Sequence, residues 1–378
     1  MNTKEIGEIR RRMRRDRSNM TAIYGCFVNG SKEIVAEFSQ STGCMPENEG
    51  DKFFALFRRL FSGSLGKNLI DLSFRTEQVA DSLEHKFLMA LRDTGLKDES
   101  LRKEIYNKII LSTSMDDSFL ILLGYEAYDV PFKSNDGQTQ SDASEETYNY
   151  IVCAICPVKQ SKSNLRYIAE SKDFHDGGLA QVVSAPEAGF LFPAFDGRRT
   201  NIYNAFFYSH SPKADHSALI QSVFNIAPPM PAEEQKKSFE SLLHSALEEE
   251  CDLEVVQTVH EQLRQSIQMH KESKVSEPLL VSKEQLKGSL VQCGLSERGL
   301  AKFSVDYDTA FGHDADLHPG NLIDHKRFEI KTPDVSIKVN PERSDLIETR
   351  VIGGVKYILI CADDNVEVNG VQISIQNE

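Results

Sequence analysis

Two long apolar, β-prone runs separated by a polar stretch place the strongest constraint on the fold of this chain. The runs are SFLILLGYEAYDVPF, residues 118–132, and YNYIVCAICPVK, residues 148–159. The stretch between them, residues 133–147, is rich in Ser, Thr and Asp and offers little to bury, so we interpret it as a flexible loop. Two strands joined by such a loop predict an antiparallel sheet.

Further strands are predicted on both sides of this pair. The runs LRYIAE, AQVVSAP, GFLFPAF and NIYNAFFYS follow it and are separated by turn residues. Residues 22–38 predict a hairpin around Asn29-Gly30, and VIGGVKYILIC predicts another over Gly353-Gly354.

Apolar residues at helical spacing predict amphipathic helices between the strand-rich segments. Asp98 and Asp252 are of a type that caps helix N-termini, and Ser282 with Gln285 fits a capping box. The predicted helices are residues 4–17, 48–61, 76–94, 98–111, 215–224, 231–250, a helix after Asp252, and 282–293.

Together these elements predict an α+β fold with antiparallel sheets, helical layers and two to three units. The chain has 378 residues, which is long enough for that number of units. We expect an N-terminal hairpin with helices in residues 1–115 and a central antiparallel sheet with a helical hairpin in 116–275. A helix and a β-rich unit are expected in residues 276–378.

Charge and composition limit the classes of partner. The formal net charge of −14 argues against a surface that grips nucleic acid throughout, because a polyanion needs local positive potential. No run approaches the roughly 18 consecutive apolar residues of a membrane span, and the N-terminus has no signal-peptide core. Seven scattered cysteines form no disulfide framework. We therefore predict a cytoplasmic protein that does not bind membranes.

The stretch HKRFEIKTPD, residues 325–334, resembles half of the active site of PD-(D/E)xK nucleases. On a strand, Glu329 and Lys331 share one face, as a metal-binding carboxylate and a catalytic lysine would. Such a site also needs an acidic residue from a neighbouring segment to complete the Mg²⁺ ligands. The candidates are Asp314, Asp316 and Asp324.

A second interpretation of the same stretch is an ordinary amphipathic strand with its polar face in solvent. E-x-K also occurs at Glu84, Glu170, Glu234 and Glu272, which shows how common the pattern is. Asp324 is close in sequence for a return strand, and HDADLH has the composition of a loop. The residues favour the second interpretation and leave the first open.

No pattern predicts a bound cofactor. His313, Asp314, Asp316 and His318 are of metal-ligating types, but their spacing matches no site that we can derive, and a polar loop explains it equally. CAIC has no second cysteine pair, and GSLGKN lacks the P-loop spacing.

The dense basic patch is near the N-terminus. Arg10, Arg11, Arg14 and Arg15 lie largely away from the apolar stripe of the predicted first helix. They are candidates for contact with nucleic acid or an acidic partner, and the alternative is a solvated helix face.

Several segments resemble an uncharacterised bacterial family, common in clostridia, known as domain of unknown function 4317. The segments are SGSLGKNLIDLSF, GFLFPAFDGRRTNIYNAFFY, NLIDHKRFEIKTPDVSIKVNPERSDLIETRVIGGVKYILI and VEVNGVQI. This resemblance implies a cytosolic protein and assigns no activity, cofactor or catalytic residue. In the order of its elements the chain is also similar to the 37-kilodalton nucleoid-associated proteins, which implies nucleic-acid binding.

From these observations we expect a non-enzymatic binding or scaffold protein, with nucleic acid as a candidate partner. A metal-dependent nuclease that uses Glu329 and Lys331 is the enzymatic alternative. A third alternative is a module that binds another protein or a second copy of itself.

Overall fold

The computed structural model describes residues 1–133, 139–161, 165–170, 172–176, 178–247, 252–273, 279–313, 315–325, 327–362, 366–368 and 370–373. By its internal contacts the chain forms two compact units. Unit 1 is mainly Met1–Ala232, and unit 2 is formed by Glu233–Val275 and Leu279–Glu378. The predicted α+β fold is confirmed, since helices and antiparallel sheets occur together.

Unit 1 is built around one antiparallel sheet. The strands of unit 1 are β1 (Ala22–Val28), β2 (Ile34–Ser41), β3 (Leu69–Ser73), β4 (Phe119–Lys133), β5 (Thr139–Gln160), β6 (Leu165–Ile168), β7 (Asp173–Asp176), β8 (Gln181–Val183), β9 (Ala188–Phe192), β10 (Ala194–Asp196), β11 (Arg199–Asn201) and β12 (Asn204–Ser209). The sheet order is β2-β1-β4-β5-β9-β12-β3, with β8 on β5, while β6–β7 and β10–β11 are separate hairpins.

Helices of unit 1 cover both faces of this sheet. They are α1 (Thr3–Arg12), α2 (Glu47–Arg59), α3 (Thr76–Asp81), α4 (Leu83–Asp93), α5 (Glu99–Ser112) and α6 (Ser217–Phe224). The side chains of α1 and α2 pack with Val152 and Cys156 of β5, and those of α4, α5 and α6 pack with Ile151 and Cys153. Because both faces of the sheet are covered, the side chains of β4, β5 and β9 are apolar over most of the length on which the helices pack.

Two predicted boundaries differ from the structure of unit 1. β1 pairs with β4, so the sheet continues across the division predicted at residue 115. The ladder between β4 and β5 begins at Phe119↔Pro157 and continues past Tyr128↔Tyr148 to Lys133↔Thr139, with two irregularities. Residues 139–147 are therefore strand rather than the predicted flexible loop, and residues 134–138 lie outside the described residues.

The helix predicted over residues 76–94 is two helices. Ser82 has an extended backbone, with φ −62° and ψ 133°, and its side chain accepts a hydrogen bond from the His85 amide. This capping bond begins α4 and ends the continuity with α3. Leu83, the first residue of α4, is 78% exposed.

Unit 2 combines a helical core with β-hairpins. Its elements are α7 (Ala232–Leu247), α8 (Leu253–Ser273), α9 (Lys283–Gln292), α10 (Glu297–Phe311), α11 (Pro319–Leu322), β13 (Phe328–Lys331), β14 (Ser336–Val339), a 3₁₀ helix (Pro341–Leu346), β15 (Ile347–Ile352), β16 (Val355–Ile360), β17 (Val366–Val368) and β18 (Val371–Ile373). Phe239, Leu263, Leu290 and Phe303 bring α7, α8, α9 and α10 into one core. The strands form three separate two-stranded hairpins.

Candidate functional site

The E-x-K stretch forms the first strand of the hairpin β13–β14. Phe328 is buried and lies with its ring edge to His260 of α8, at 5.3 Å between ring centroids. This contact fixes the face of β13 that turns inward, so the alternating Glu329 and Lys331 are exposed. The predicted placement of both side chains on one strand face is confirmed.

Glu329 is held by groups of its own hairpin. Lys331 Nζ lies 3.1 Å from one carboxylate oxygen, and Ser336 Oγ donates to the other at 3.0 Å. Lys338, directly opposite Glu329 on β14, places Nζ 3.9 Å away. The hydrogen bonds from Lys331 and Ser336 hold the pKa of Glu329 below its usual value. The carboxylate is therefore ionised and has a partner at each oxygen.

The exposed face of β13 is part of a cleft of about 510 Å³ in unit 2. Helices α7 and α8, the segment after α11 and the hairpin β13–β14 form its walls. The lining side chains include apolar residues of the helical core and seven charged groups at the hairpin and the helix surfaces. The charged groups are Lys236, Glu240, Asp324, Arg327, Glu329, Lys331 and Lys338.

Cations outnumber carboxylates by one in this cleft. His260 adds no charge near neutral pH, because burial lowers the pKa of its imidazole. Its Nε2 donates to the backbone oxygen of Asp324 at 3.1 Å. The cleft thus combines apolar side chains with a mixed-charge lining that has one excess positive charge, which suits a ligand that has an uncharged body and an anionic group.

The three acidic candidates for a nuclease site have different outcomes. Asp324 lines the same cleft as Glu329 and Lys331, whereas Asp316 is not among the lining residues. Asp314 lies outside the described residues. Within the described ranges, no three His, Cys, Asp or Glu side chains are grouped so as to hold a metal ion.

The residues of HDADLH are engaged separately. His313 Nδ1 lies 3.2 Å from an oxygen of Asp308, whose other oxygen accepts from Lys283 at 2.8 Å. His318 is the N-terminal flanking residue of α11. In the part of the stretch that the structure describes, these side chains are not brought to one metal site.

The N-terminal arginines separate into two pairs. Arg10 and Arg11 of α1 are exposed, and within the described chain neither has an ion pair or a side-chain hydrogen bond. Arg14 pairs with Asp16 at 3.0 Å, and Arg15 donates to the backbone oxygen of Met45 at 3.3 Å. Arg10 and Arg11 are therefore the members of the cluster that are open to a ligand.

Sequence reasoning missed the residue that anchors α1. Glu126 of β4 has no exposed side-chain surface and accepts hydrogen bonds from Arg12 Nε at 2.9 Å and Tyr150 at 2.7 Å. The Ser18 hydroxyl and the Asn19 amide donate to the same carboxylate at 2.9 and 3.1 Å. A lone acidic residue within the apolar run LILLGYEAY was the available signal.

Residues 1–371 match the family described as Domain of unknown function (DUF4317). The chain belongs to this family. The match includes both units, and with them α1 and the cleft of this DUF4317 protein. Of the curated proteins compared with it, none matches this chain. The second resemblance, to nucleoid-associated proteins, has no support in these comparisons.

No described helix of this DUF4317 protein combines the length and the apolar character needed to cross a membrane.

Proposed function

We propose that this protein binds a single strand of nucleic acid, with one or two nucleotides in the cleft of unit 2. The observation that carries the proposal is the set of four cationic side chains that line this cleft in a chain of formal net charge −14. An acidic protein binds a polyanion only where the local potential is positive. The excess of one positive charge among the side chains that line the cleft supplies such a place.

Glu329 supports binding by positioning the two lysines rather than by contacting the phosphate. An ammonium group has three N–H donors, and the carboxylate takes a single contact from each lysine. The side chains of Lys331 and Lys338 remain 69% and 59% exposed. Their other donors are available to phosphate oxygens.

The size of the cleft favours a single strand over a duplex. Sites for compact ligands have volumes of about 300–1,000 Å³, and this cleft has about 510 Å³. A nucleotide fits that volume, and the apolar side chains of the cleft accept the uncharged surface of a base. We also assign a separate phosphate contact in unit 1 to Arg10 and Arg11, because both are exposed.

Fluorescence anisotropy with a labelled single-stranded oligonucleotide, titrated at several salt concentrations, tests the proposal. Each phosphate contact to a single strand contributes about −0.7 to the slope of log K against log salt. The variant Lys331→Gln/Lys338→Gln should therefore flatten the slope by about 1.4. Arg10→Gln/Arg11→Gln tests the second contact in the same way.

Lys271→Gln is the matched control, because Lys271 is an exposed lysine of unit 2 that does not line the cleft. It should leave affinity and slope unchanged. Equal effects of the control and the cleft variant would contradict a specific cleft site, as would the absence of binding at low salt.

One observation favours a metal-dependent nuclease as the second candidate function. Asp324, Glu329 and Lys331 line one cleft, as the two carboxylates and the lysine of such a site must. This candidate predicts cleavage of the oligonucleotide when Mg²⁺ or Mn²⁺ is added, with loss of cleavage in Glu329→Gln and in Asp324→Asn. Binding without cleavage under both metals would count against it.

We place this binding activity in the cytoplasm. The six cysteines within the described residues are all unpaired, as expected in a reducing compartment.

A further inference from the structure

The hairpin β15–β16 exposes apolar side chains on both of its faces. Ile352 and Val355, a cross-strand pair on one face, are 55% and 54% exposed. On the other face Val351 is 69% exposed and Ile360 is 55% exposed. Two-stranded hairpins have marginal stability alone, and an open strand edge is a template for pairing with another chain. A partner strand would stabilise the hairpin and would also pair its open edge.

The turn fixes which backbone groups point away from the hairpin. Gly353 and Gly354, with φ of 59° and 82°, form a two-residue turn closed by Ile352 and Val355. Hydrogen-bonded pairs then alternate along β15, so Glu348 and Arg350 direct their backbone groups toward β16. The bond from the Cys361 amide to the Leu346 oxygen, at 2.7 Å, agrees with this alternation, because Leu346 is two residues before Glu348.

It follows that the outer edge of β15 carries the N–H and C=O groups of Ile347, Thr349 and Val351. No strand in the described part of the chain pairs with this edge. Any strand that adds to it must align its own outward groups with these three residues. This requirement leaves few registers for an added strand.

We propose that this edge pairs with the same edge of a second copy of the chain, antiparallel and about a two-fold axis at Thr349. In this register Glu348 of each copy lies opposite Arg350 of the other, and Ile347 lies opposite Val351. Moving the axis by one residue places Glu348 opposite Glu348 or Arg350 opposite Arg350. Like charges directly opposite each other destabilise a strand pair.

The charged side chains of β15 are suited to pairing with a second copy of the same strand. Within one copy Arg350 bonds Glu348 on the same strand at 2.7 Å, and their side chains are 62% and 44% exposed. Glu348 and Arg350 would form non-hydrogen-bonded pairs across the axis, where opposing side chains approach most closely. The Glu348 carboxylate of each copy therefore faces the Arg350 guanidinium of the other copy.

Helix α8 defines where the new pairing ends. Gln257 of α8 donates to the backbone oxygens of Ser344 at 2.8 Å and Ile347 at 3.3 Å. Ile347 is buried, with 3% exposure. The shared segment thus runs from Ile347 to Val351. At its end the Ile347 carbonyl oxygen has two lone pairs, so it can accept from Gln257 and from an amide of the second copy at the same time.

Sedimentation equilibrium of the full chain tests this dimer by a charge exchange. The wild-type chain should dimerise, and Glu348→Arg should weaken the dimer at least about tenfold, because two Arg–Arg oppositions replace two ion pairs. Arg350→Glu should have the same effect. The double variant Glu348→Arg/Arg350→Glu should restore the wild-type constant.

Thr349→Pro is an independent variant. It removes an outward N–H and leaves the bonds to β16, so the hairpin remains while the dimer is lost. Circular dichroism verifies that each variant is folded. A monomeric wild-type chain, a failure of the double variant to restore association, or a dimer that tolerates Thr349→Pro would each overturn the proposal. Lys331→Gln/Lys338→Gln should leave the dimerisation constant unchanged. A failure of the proposed dimer can therefore be distinguished from a failure of the proposed binding in the cleft.

Discussion

Glu126 and Glu329 are carboxylates with opposite surroundings. Glu126 is fully buried and depends on donors from α1, the following loop and β5. Glu329 is at the surface of a hairpin and is paired with lysines that remain exposed. A buried charge that loses its partners is costly, whereas an exposed ion pair contributes little to stability. We therefore assign a structural role to Glu126 and a ligand-binding role to the surroundings of Glu329.

Replacing Glu126 should destabilise the protein. In Glu126→Gln, the half-buried Arg12 guanidinium loses its ionic partner, and the free energy of unfolding should fall by about 3 kcal/mol. Chemical denaturation followed by circular dichroism measures the change. Glu99→Gln, which removes an exposed ion pair with Lys103, is the control and should have little effect. Similar behaviour of the two variants would contradict the anchoring role.

His216 should make stability depend on pH. Its Nε2 lies 3.0 Å from Ser209 Oγ, and burial lowers its pKa below the ordinary value of 6.5. The folded state thus binds fewer protons than the unfolded state as the pH falls below that value. Stability is complete above the ordinary pKa and is lost as the pH falls through the lowered pKa.

Thermal unfolding at about pH 7.5 and about pH 5.5 measures this dependence. His216→Gln should lose less stability than the wild type between the two pH values. An unchanged difference would exclude His216 as its source.

At the scale of elements, capping residues were the most informative part of the sequence. Asp252 accepts from the Val255 amide at 2.9 Å where α8 begins, and Ser282 with Gln285 forms the predicted capping box of α9. These capping interactions join residues that are three apart in the sequence, so a short stretch of sequence is enough to predict where each helix begins. The turn predicted at Asn29-Gly30 is longer than two residues, because it is closed by the bond from the Asn29 amide to the Glu33 oxygen and the positive φ of 63° falls on Lys32.

Helix α10 shows what the sequence analysis overlooked. Ser296 caps it, and Phe303 and Tyr307 are buried one turn apart, so both local signals were present. The break at Ser82 could not be predicted in the same way. Apolar residues at helical spacing, such as Phe87 and Leu91, are compatible with one long helix, whereas the extended backbone of Ser82 and its bond to the His85 amide divide the segment into two.

The close contact between β9 and β5 gives a prediction at this scale. A Cβ on Gly189 would lie 2.4 Å from the backbone oxygen of Cys153 and 2.5 Å from Leu60. Gly189→Ala should therefore force the central strands apart and lower the free energy of unfolding by about 2 kcal/mol or more.

Gly7→Ala is the control in the same unit. A Cβ on Gly7 of α1 meets only Arg11, at 3.7 Å, and alanine favours a helix over glycine by about 1 kcal/mol. Denaturant titration should show opposite signs for the two substitutions. A loss of stability in both would contradict the explanation from close contact.

At the scale of the whole molecule, the sequence identified half of the cleft. Glu329 and Lys331 are neighbours on one strand, so alternation alone predicted their common face. The opposite walls come from Lys236 and His260, far away in sequence, and spacing cannot predict that approach. The same limit applies to Arg12 and Glu126, which only the packing of α1 on the sheet brings together.

The distribution of charge explains how an acidic chain can hold an anion. The formal net charge of −14 belongs to the whole molecule, whereas the cleft has one more cation than carboxylate. Long-range repulsion from the rest of the surface is screened within about 8 Å at physiological ionic strength. In the proposed binding mode, short-range contacts with the lysines and Arg327 would therefore decide binding.

The most direct test of the cleft is to locate the bound strand. An oligonucleotide that contains a photoreactive base is crosslinked to the full chain, and the attached peptides are identified by mass spectrometry. We expect crosslinks in residues 327–339 and in the facing parts of α7 and α8, and their loss in Lys331→Gln/Lys338→Gln. Crosslinks that avoid all of these segments, or that persist unchanged in the variant, would contradict the proposed site.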